Sequence, residues 1–152
     1  MEIPKYLEKI IKDLEKNGHE AWIVGGCVRD LLLGKTPSDW DLTTNALPAE
    51  VLKIFPDGKY ENDFGTVILP LKDKQDKLID VIEITTYRSE QGYSDRRRPD
   101  EVIFEKDLDA DLARRDFTIN ALAMRSEKSK LPLKEDLEKF AIRQDGWVII
   151  DL

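Results

Sequence analysis

Asp39-Trp40-Asp41 sets two carboxylates two positions apart at the start of an expected strand, 40–43. Side chains alternate along a strand, so Asp39 and Asp41 are expected on one face and Trp40 on the other. Carboxylates held that close repel each other. They persist where water solvates them or where they share a cation. Mg²⁺ suits such a pair, because it takes oxygen ligands and usually binds through one or two carboxylates plus substrate phosphates. Two ions on the pair could activate a hydroxyl and steady a departing pyrophosphate. The pattern D-x-D is also ordinary turn composition in an acidic protein, so the pair alone does not decide.

Upstream, Gly25-Gly26 follows the apolar run AWIV and precedes VRDLLLG. Glycine lets backbone N–H groups approach a phosphate closely, and a helix start favours an anion there. Arg29, three residues past Gly26, could reach a phosphate oxygen as a forked donor, with Asp30 beside it. The spacing is neither a P-loop nor a dinucleotide fingerprint, and an ordinary tight turn with a surface arginine would read the same way. A second cluster offers Arg114, Arg115, Asp116 and Asn120 within seven residues. Such a set can hold a triphosphate and bond a ribose hydroxyl, although R-R-D also marks a salt-bridged helix end. Asn120 sits in the apolar context FTINALAM, where a buried amide needs partners. Glu83, inside VIEITTY, shares a strand face with Val81 and Thr85. Periodicity points it to solvent, and the other reading is a third metal ligand. Cys27 reads as a small buried hydrophobe. His19, the single histidine, reads as a surface residue.

These side chains need a scaffold. Leu7, Ile10, Ile11 and Leu14 follow helical spacing, with Gly18 as the stop. Strands are expected at 22–24, 40–43, 66–71, 78–86, 102–104 and 147–151, and helices at 28–33, 48–55 and 108–115. Pro48 suits a first helical turn, and the polar KDKQDK segment suits a hairpin between 66–71 and 78–86. Residues 91–100, rich in Gly, Ser, Pro and arginine, are expected to form a loop. Mixed strands and helices with a hairpin favour an α+β fold.

The chain has 152 residues, enough for one domain with its own core. Charged residues make up 36% and hydrophobic ones 41%, the composition of a soluble globular protein. No run is long enough to span a membrane, the N-terminus lacks a secretory pattern, and a single cysteine cannot form an internal disulfide. The cytoplasm is the expected location. A net charge of −7 argues against tight unassisted binding to nucleic acid and favours a small Mg²⁺-chelated substrate. Local exceptions are Arg96 to Arg98 and the Arg114-Arg115 pair.

Taken together, VGGCVRDLLLG, PSDWDLTTNALP, FGTV, EITTYR, the YSDRRRP loop and DLARRDFTINALAM resemble the head domain of the bacterial tRNA nucleotidyltransferase and poly(A) polymerase family, the class II CCA-adding type. The stretches run in family order and spacing across residues 20–125. The resemblance implies a DNA polymerase beta-like nucleotidyltransferase fold and transfer of a nucleoside monophosphate from ATP or CTP to an RNA 3′-hydroxyl. It implies Asp39 and Asp41 as ligands of catalytic Mg²⁺, with Glu83 as an auxiliary catalytic carboxylate. The implied nucleotide-binding set is Gly25, Gly26, Arg29, Asp30, Arg115, Asp116 and Asn120, with tRNA as the second substrate. The segment 87–99 resembles a flexible loop that reshapes the pocket between nucleotides.

Family members continue past this point into a D-P-F-G-G-like motif, a neck that reads the base, and a body and tail that hold tRNA. Here Asp151 would begin that motif. The expectation is a single head domain, either a fragment or a short protein that needs neck and body from a partner. CCA-, CC-, A- and poly(A)-adding enzymes share this head. One alternative is a nucleotide-binding or assembly module that is inactive without a partner. Another is a minimal nucleotidyltransferase of the toxin–antitoxin kind, but those usually carry G-S and lack R-R-D-x-x-x-N-A.

Overall fold

Leu7, Ile10, Ile11 and Leu14 form the single buried stripe of helix α1 (Lys5–Lys16). The helix stops where Gly18 takes a positive φ of 85° and the His19 N–H returns to the Leu14 carbonyl at 3.1 Å. The structure is a computed structural model and describes residues 2–61, 64–91, 101–115 and 118–152. The elements that follow α1 are β1 (Ala21–Val24), α2 (Gly26–Leu32), β2 (Trp40–Thr44), α3 (Pro48–Ile54), β3 (Lys59–Tyr60), β4 (Thr66–Lys72) and β5 (Leu78–Thr86). Next come β6 (Arg88–Gln91), β7 (Glu101–Phe104), α4 (Leu108–Ala113), a 3₁₀ turn (Thr118–Asn120), β8 (Leu122–Ser126), α5 (Glu135–Glu138), β9 (Ala141–Gln144) and β10 (Trp147–Asp151).

Eight strands form one sheet in the order β3-β4-β5-β2-β1-β8-β10-β9, and β6 pairs with β7 in a separate ribbon. β2 and β5 run parallel, and every other pairing in the large sheet is antiparallel. The α+β class therefore holds, with a mixed central sheet. Ala21, Ile23, Trp40, Leu42, Ile82, Ile84 and Met124 face α1, α2 and α3 and make the larger core. Trp22, Val24, Ala123, Val148 and Ile150 face the other way, onto Leu108, Leu112 and Leu137. The second face is covered over β1, β8 and β10. Over β5 it stays open, with Ile79, Val81 and Glu83 exposed.

Several expected bounds change. α2 begins at Gly26 rather than at residue 28, and α4 ends at Ala113 rather than at 115. Arg88–Gln91, inside the segment 87–99 expected as a flexible loop, pair with Glu101–Phe104 as β6, and Tyr87 just before them is fully buried. Residues 92–100, with Arg96 to Arg98, lie outside the described set. β3, β6, α5, β8 and β9 were not anticipated. The Leu122–Ser126 strand is buried on both faces between β1 and β10, so it shows no alternation for a pattern search to find. β9 joins β10 through Asp145 and Gly146, both at positive φ (51° and 80°), the conformation an Asp-Gly hairpin turn adopts.

The buried Trp40 ring anchors the strand that carries the D-x-D pair. Trp40→Ala is expected to cost about 3–5 kcal/mol, read as a lowered urea midpoint. A loss under about 1 kcal/mol would show that the ring does not hold this strand.

Candidate functional site

The site forms where the sheet's central strands end. β1 leads into Gly25, whose φ of 82° and ψ of −144° suit glycine alone. A Cβ placed there would lie 3.8 Å from both the Asp41 carboxylate and Nη1 of Arg115, and 4.0 Å from the Asn120 carbonyl. The glycine turn, the D-x-D segment and the second basic cluster, up to 95 positions apart in the sequence, thus meet at Gly25. The turn is tied in place by its own N–H, which donates to the Leu122 carbonyl at 3.1 Å.

Parallel pairing sets the carboxylates. Asp41 on β2 stands at the same register as Glu83 on β5, so both project from the open second face while Trp40 and Ile82 turn into the core. Asp39 precedes β2, which begins at Trp40. It is exposed and accepts a hydrogen bond from the Ser38 hydroxyl at 2.6 Å. Partial burial, then repulsion from Glu83 and from Asp39, push the Asp41 carboxyl up to about 6, against a smaller opposing pull from Arg115. Glu83 faces solvent, as periodicity indicated, and the strand pairing also sets it beside Asp41.

The arginines are held. Arg29 donates from Nε and Nη2 to Asp30 at 2.9 and 2.8 Å, and from Nη1 to the Asn120 side-chain oxygen at 3.1 Å. Asp30 thus braces Arg29. Asn120, in the 3₁₀ turn, finds in Arg29 the partner that a part-buried amide requires. A Cβ on Gly26 would sit 3.4 Å from the Arg29 guanidinium, in ordinary contact. Arg115 donates to Asp111 from Nη2 at 2.9 Å and Nε at 3.3 Å, and Arg114 donates to the same carboxylate from Nε at 3.1 Å. The salt-bridged helix end that R-R-D also allowed is therefore present, while Nη1 of Arg115 still faces Gly25. Asp116 lies outside the described residues. Cys27 is buried, and its thiol is pushed up to about 11, chiefly by burial.

Two residues that sequence reasoning passed over frame this region. Asp111 is fully buried among donors, and the signal for it was its i+3 and i+4 spacing to two arginines. Tyr87 is fully buried at the root of the β6–β7 ribbon. Its N–H donates to the Thr44 carbonyl, its carbonyl accepts from the Glu105 N–H (both 2.7 Å), and its hydroxyl donates to Glu20 at 2.9 Å. Burial and the Glu20 carboxylate raise its phenol well above the ordinary range.

The donor set of Asp39, Asp41 and Glu83 fits a hard divalent cation such as Mg²⁺. All are carboxylates, and their mutual repulsion at Asp41 is the excess charge a cation would relieve. Among the described residues no three His, Cys, Asp or Glu side chains close around one point.

The family model for the poly(A) polymerase head domain matches residues 21–139. The chain is 45% identical over 143 residues to the CCA-adding enzyme of Lactiplantibacillus plantarum, an alignment covering 90% of this chain and 33% of that one. The crystal structure of the Bacillus stearothermophilus CCA-adding enzyme in complex with CTP is 38% identical. It superposes with a TM-score of 0.66 over 82% of this chain and 28% of its own. The Thermotoga maritima CCA-adding enzyme complexed with tRNA gives a TM-score of 0.59 at 26% identity, over 99% of this chain and 30% of its own. The chain thus spans about a third of the length of these relatives. The expected nucleotidyltransferase fold is the one its structural relatives share. No helix among the described residues is long and apolar enough to cross a membrane.

Because Asp41 binds its proton more tightly when folded than when unfolded, its contribution favours folding below pH 3.8 and is lost as pH rises through 6. In EDTA at pH 7.5, Asp41→Asn is expected to stabilise the fold by about 1–2 kcal/mol, after discounting for solvent screening. The advantage should vanish near pH 4. Urea denaturation at both pH values checks this, and an equal gap at pH 4 would show that charge is not its source.

Proposed function

The chain belongs to the poly(A) polymerase head-domain family, and from that premise we propose that it is the catalytic head of an RNA 3′-end nucleotidyltransferase. In this reading a tRNA 3′-oxygen attacks the α-phosphorus of CTP or ATP. The bond between the α-phosphorus and the bridging oxygen breaks, pyrophosphate leaves, and the hydroxyl proton passes to solvent. The observation that carries the reading is the convergence of Asp41, Arg115 and Asn120 on the glycine turn, with Glu83 beside Asp41. Relatives solved with CTP and with tRNA support the choice of substrates.

Each residue then has a distinct task. Asp39 and Asp41 would hold Mg²⁺, with Glu83 adding negative charge beside them. When bound, the ion supplies Lewis-acid polarisation and charge neutralisation at the phosphates. Gly25 has no side chain, so phosphate oxygens can come close to backbone at this turn. Arg29 and Arg115, both braced by carboxylates, present guanidinium charge to the triphosphate without first being ordered. Asn120, with Asp116 from the same motif, falls to ribose and triphosphate recognition by family resemblance. No side-chain nucleophile is required. The cytoplasm is the compartment that fits such an enzyme.

The second reading is a nucleotide-binding module that is silent until a partner supplies neck and body. It is favoured by the net charge of −7, which argues against unassisted binding of tRNA. Incubating the chain with tRNA lacking its CCA end, Mg²⁺ and labelled CTP or ATP separates the two. Incorporation establishes the enzyme, and its absence together with measurable Mg–NTP binding establishes the module.

Two outcomes are expected. The chain binds Mg–NTP weakly and with little preference among bases, so titration calorimetry giving sub-micromolar affinity for one nucleotide over the rest would contradict the reading. Asp39→Ala and Asp41→Ala each abolish incorporation, and undiminished transfer by either variant would remove the metal assignment.

A further inference from the structure

Asp111 is a fully buried carboxylate with no task in the chemistry proposed above. Burying a lone charge is costly, and it is tolerated where several donors meet it. Here both oxygens are shared. One accepts from Arg115 Nη2 at 2.9 Å, Arg115 Nε at 3.3 Å and the Thr43 hydroxyl at 3.1 Å. The other accepts from Arg114 Nε at 3.1 Å and from the Arg88 backbone N–H at 3.3 Å. These donors come from three places: the end of α4, the β2 strand two residues past Asp41, and the first residue of the β6–β7 ribbon.

This pattern divides the Arg115 guanidinium in two. Its Nε–Nη2 edge is occupied by Asp111. Its Nη1 lies on the far side, 3.8 Å from where a Cβ on Gly25 would be, the same distance as the Asp41 carboxylate. An arginine with one edge clamped has lost its rotamer freedom before any ligand arrives, so a ligand does not have to order it.

We infer that Asp111 is the positioning residue of the nucleotide pocket: it fixes Arg115 towards the glycine turn and locks that arginine to the β2 strand and to the ribbon's root. The inference rests on the function proposed above. Asp111 touches no nucleotide itself and acts through Arg115. The competing role is a plain staple for the end of α4, which would support folding without bearing on ligand affinity.

Asp111→Asn keeps the size and one acceptor but cannot receive both arginines. Mg–ATP affinity is measured by calorimetry for wild type, D111N, R115A and the double variant, and the arginine Nε–H signals are followed by ¹⁵N NMR without nucleotide. D111N is expected to weaken Mg–ATP binding at least about tenfold, and to have no further effect in the R115A background, since residues acting through one contact are non-additive. The Arg115 Nε–H signal, separate and slow to exchange in wild type, should merge with the solvent-averaged arginines in D111N. Losses that multiply independently, or an unchanged Arg115 signal, would overturn the inference in favour of the staple. Should D111N fail to fold, Arg115→Lys serves instead. It keeps the charge without the forked edge, and it is expected to lose as much affinity as R115A, while wild-type affinity in R115K would overturn the inference. A wild-type chain that binds no nucleotide refutes the proposed function, and the arginine signals then decide the clamp by themselves.

Discussion

The register of β2 against β5 is the constraint on which the site depends. These two strands run parallel, so Asp41 and Glu83 stand at one level with their side chains on one face, and neither can turn away without exposing Trp40 or Ile82. Burial of the tryptophan on one face therefore enforces charge crowding on the other. The crowding is expressed in Asp41, whose carboxyl is held near 6 by partial burial and by its acidic neighbours. A fold that only sought stability would place a neutral side chain there. Retaining the charge costs stability in the metal-free protein, as is common where a surface is built to receive a ligand.

The opposite wall follows the reverse logic. Arg29 and Arg115 are each braced from behind by a carboxylate, Asp30 and Asp111, and each is directed by a polar neighbour or the glycine turn. Cationic and anionic walls are separated by a residue with no side chain. Gly25 is needed for its positive φ, and a Cβ there would come into van der Waals contact with both Asp41 and Arg115. The backbone requirement and the need for an open pocket select the same residue.

Much of this was legible in the sequence because it is local. The α1 stripe, the proline start of α3, the hairpin between β4 and β5 and the alternation around Trp40 each depend on residues within a few positions of one another. The parts that escaped depend on partners far along the sequence. Leu122–Ser126 has no strand-like alternation, and it is a strand because β1 and β10 flank it. Asp111 read as one more acidic residue in DLDADLARR until α4 buried it against Thr43. β9 is the exception, since Asp145-Gly146 ahead of an apolar run is a local hairpin signal that was present to be read. At the site itself, residue types gave the chemistry, but they could not show that Asp30 and Asn120 serve first to hold Arg29.

The placement of β1 has a consequence for the order of assembly. Its two neighbours are β2, about twenty residues downstream, and β8, about a hundred residues downstream. Closures across such separations are slow, and they wait for the distant segment to exist. On a ribosome Arg29 and the acidic strands would be in place early, Arg115 would follow, and the tether on the Gly25 amide would come last, with β8. A nascent polypeptide would thus pass through a stage in which Asp41 and Glu83 are paired while Arg115, whose charge opposes their repulsion, has yet to join them.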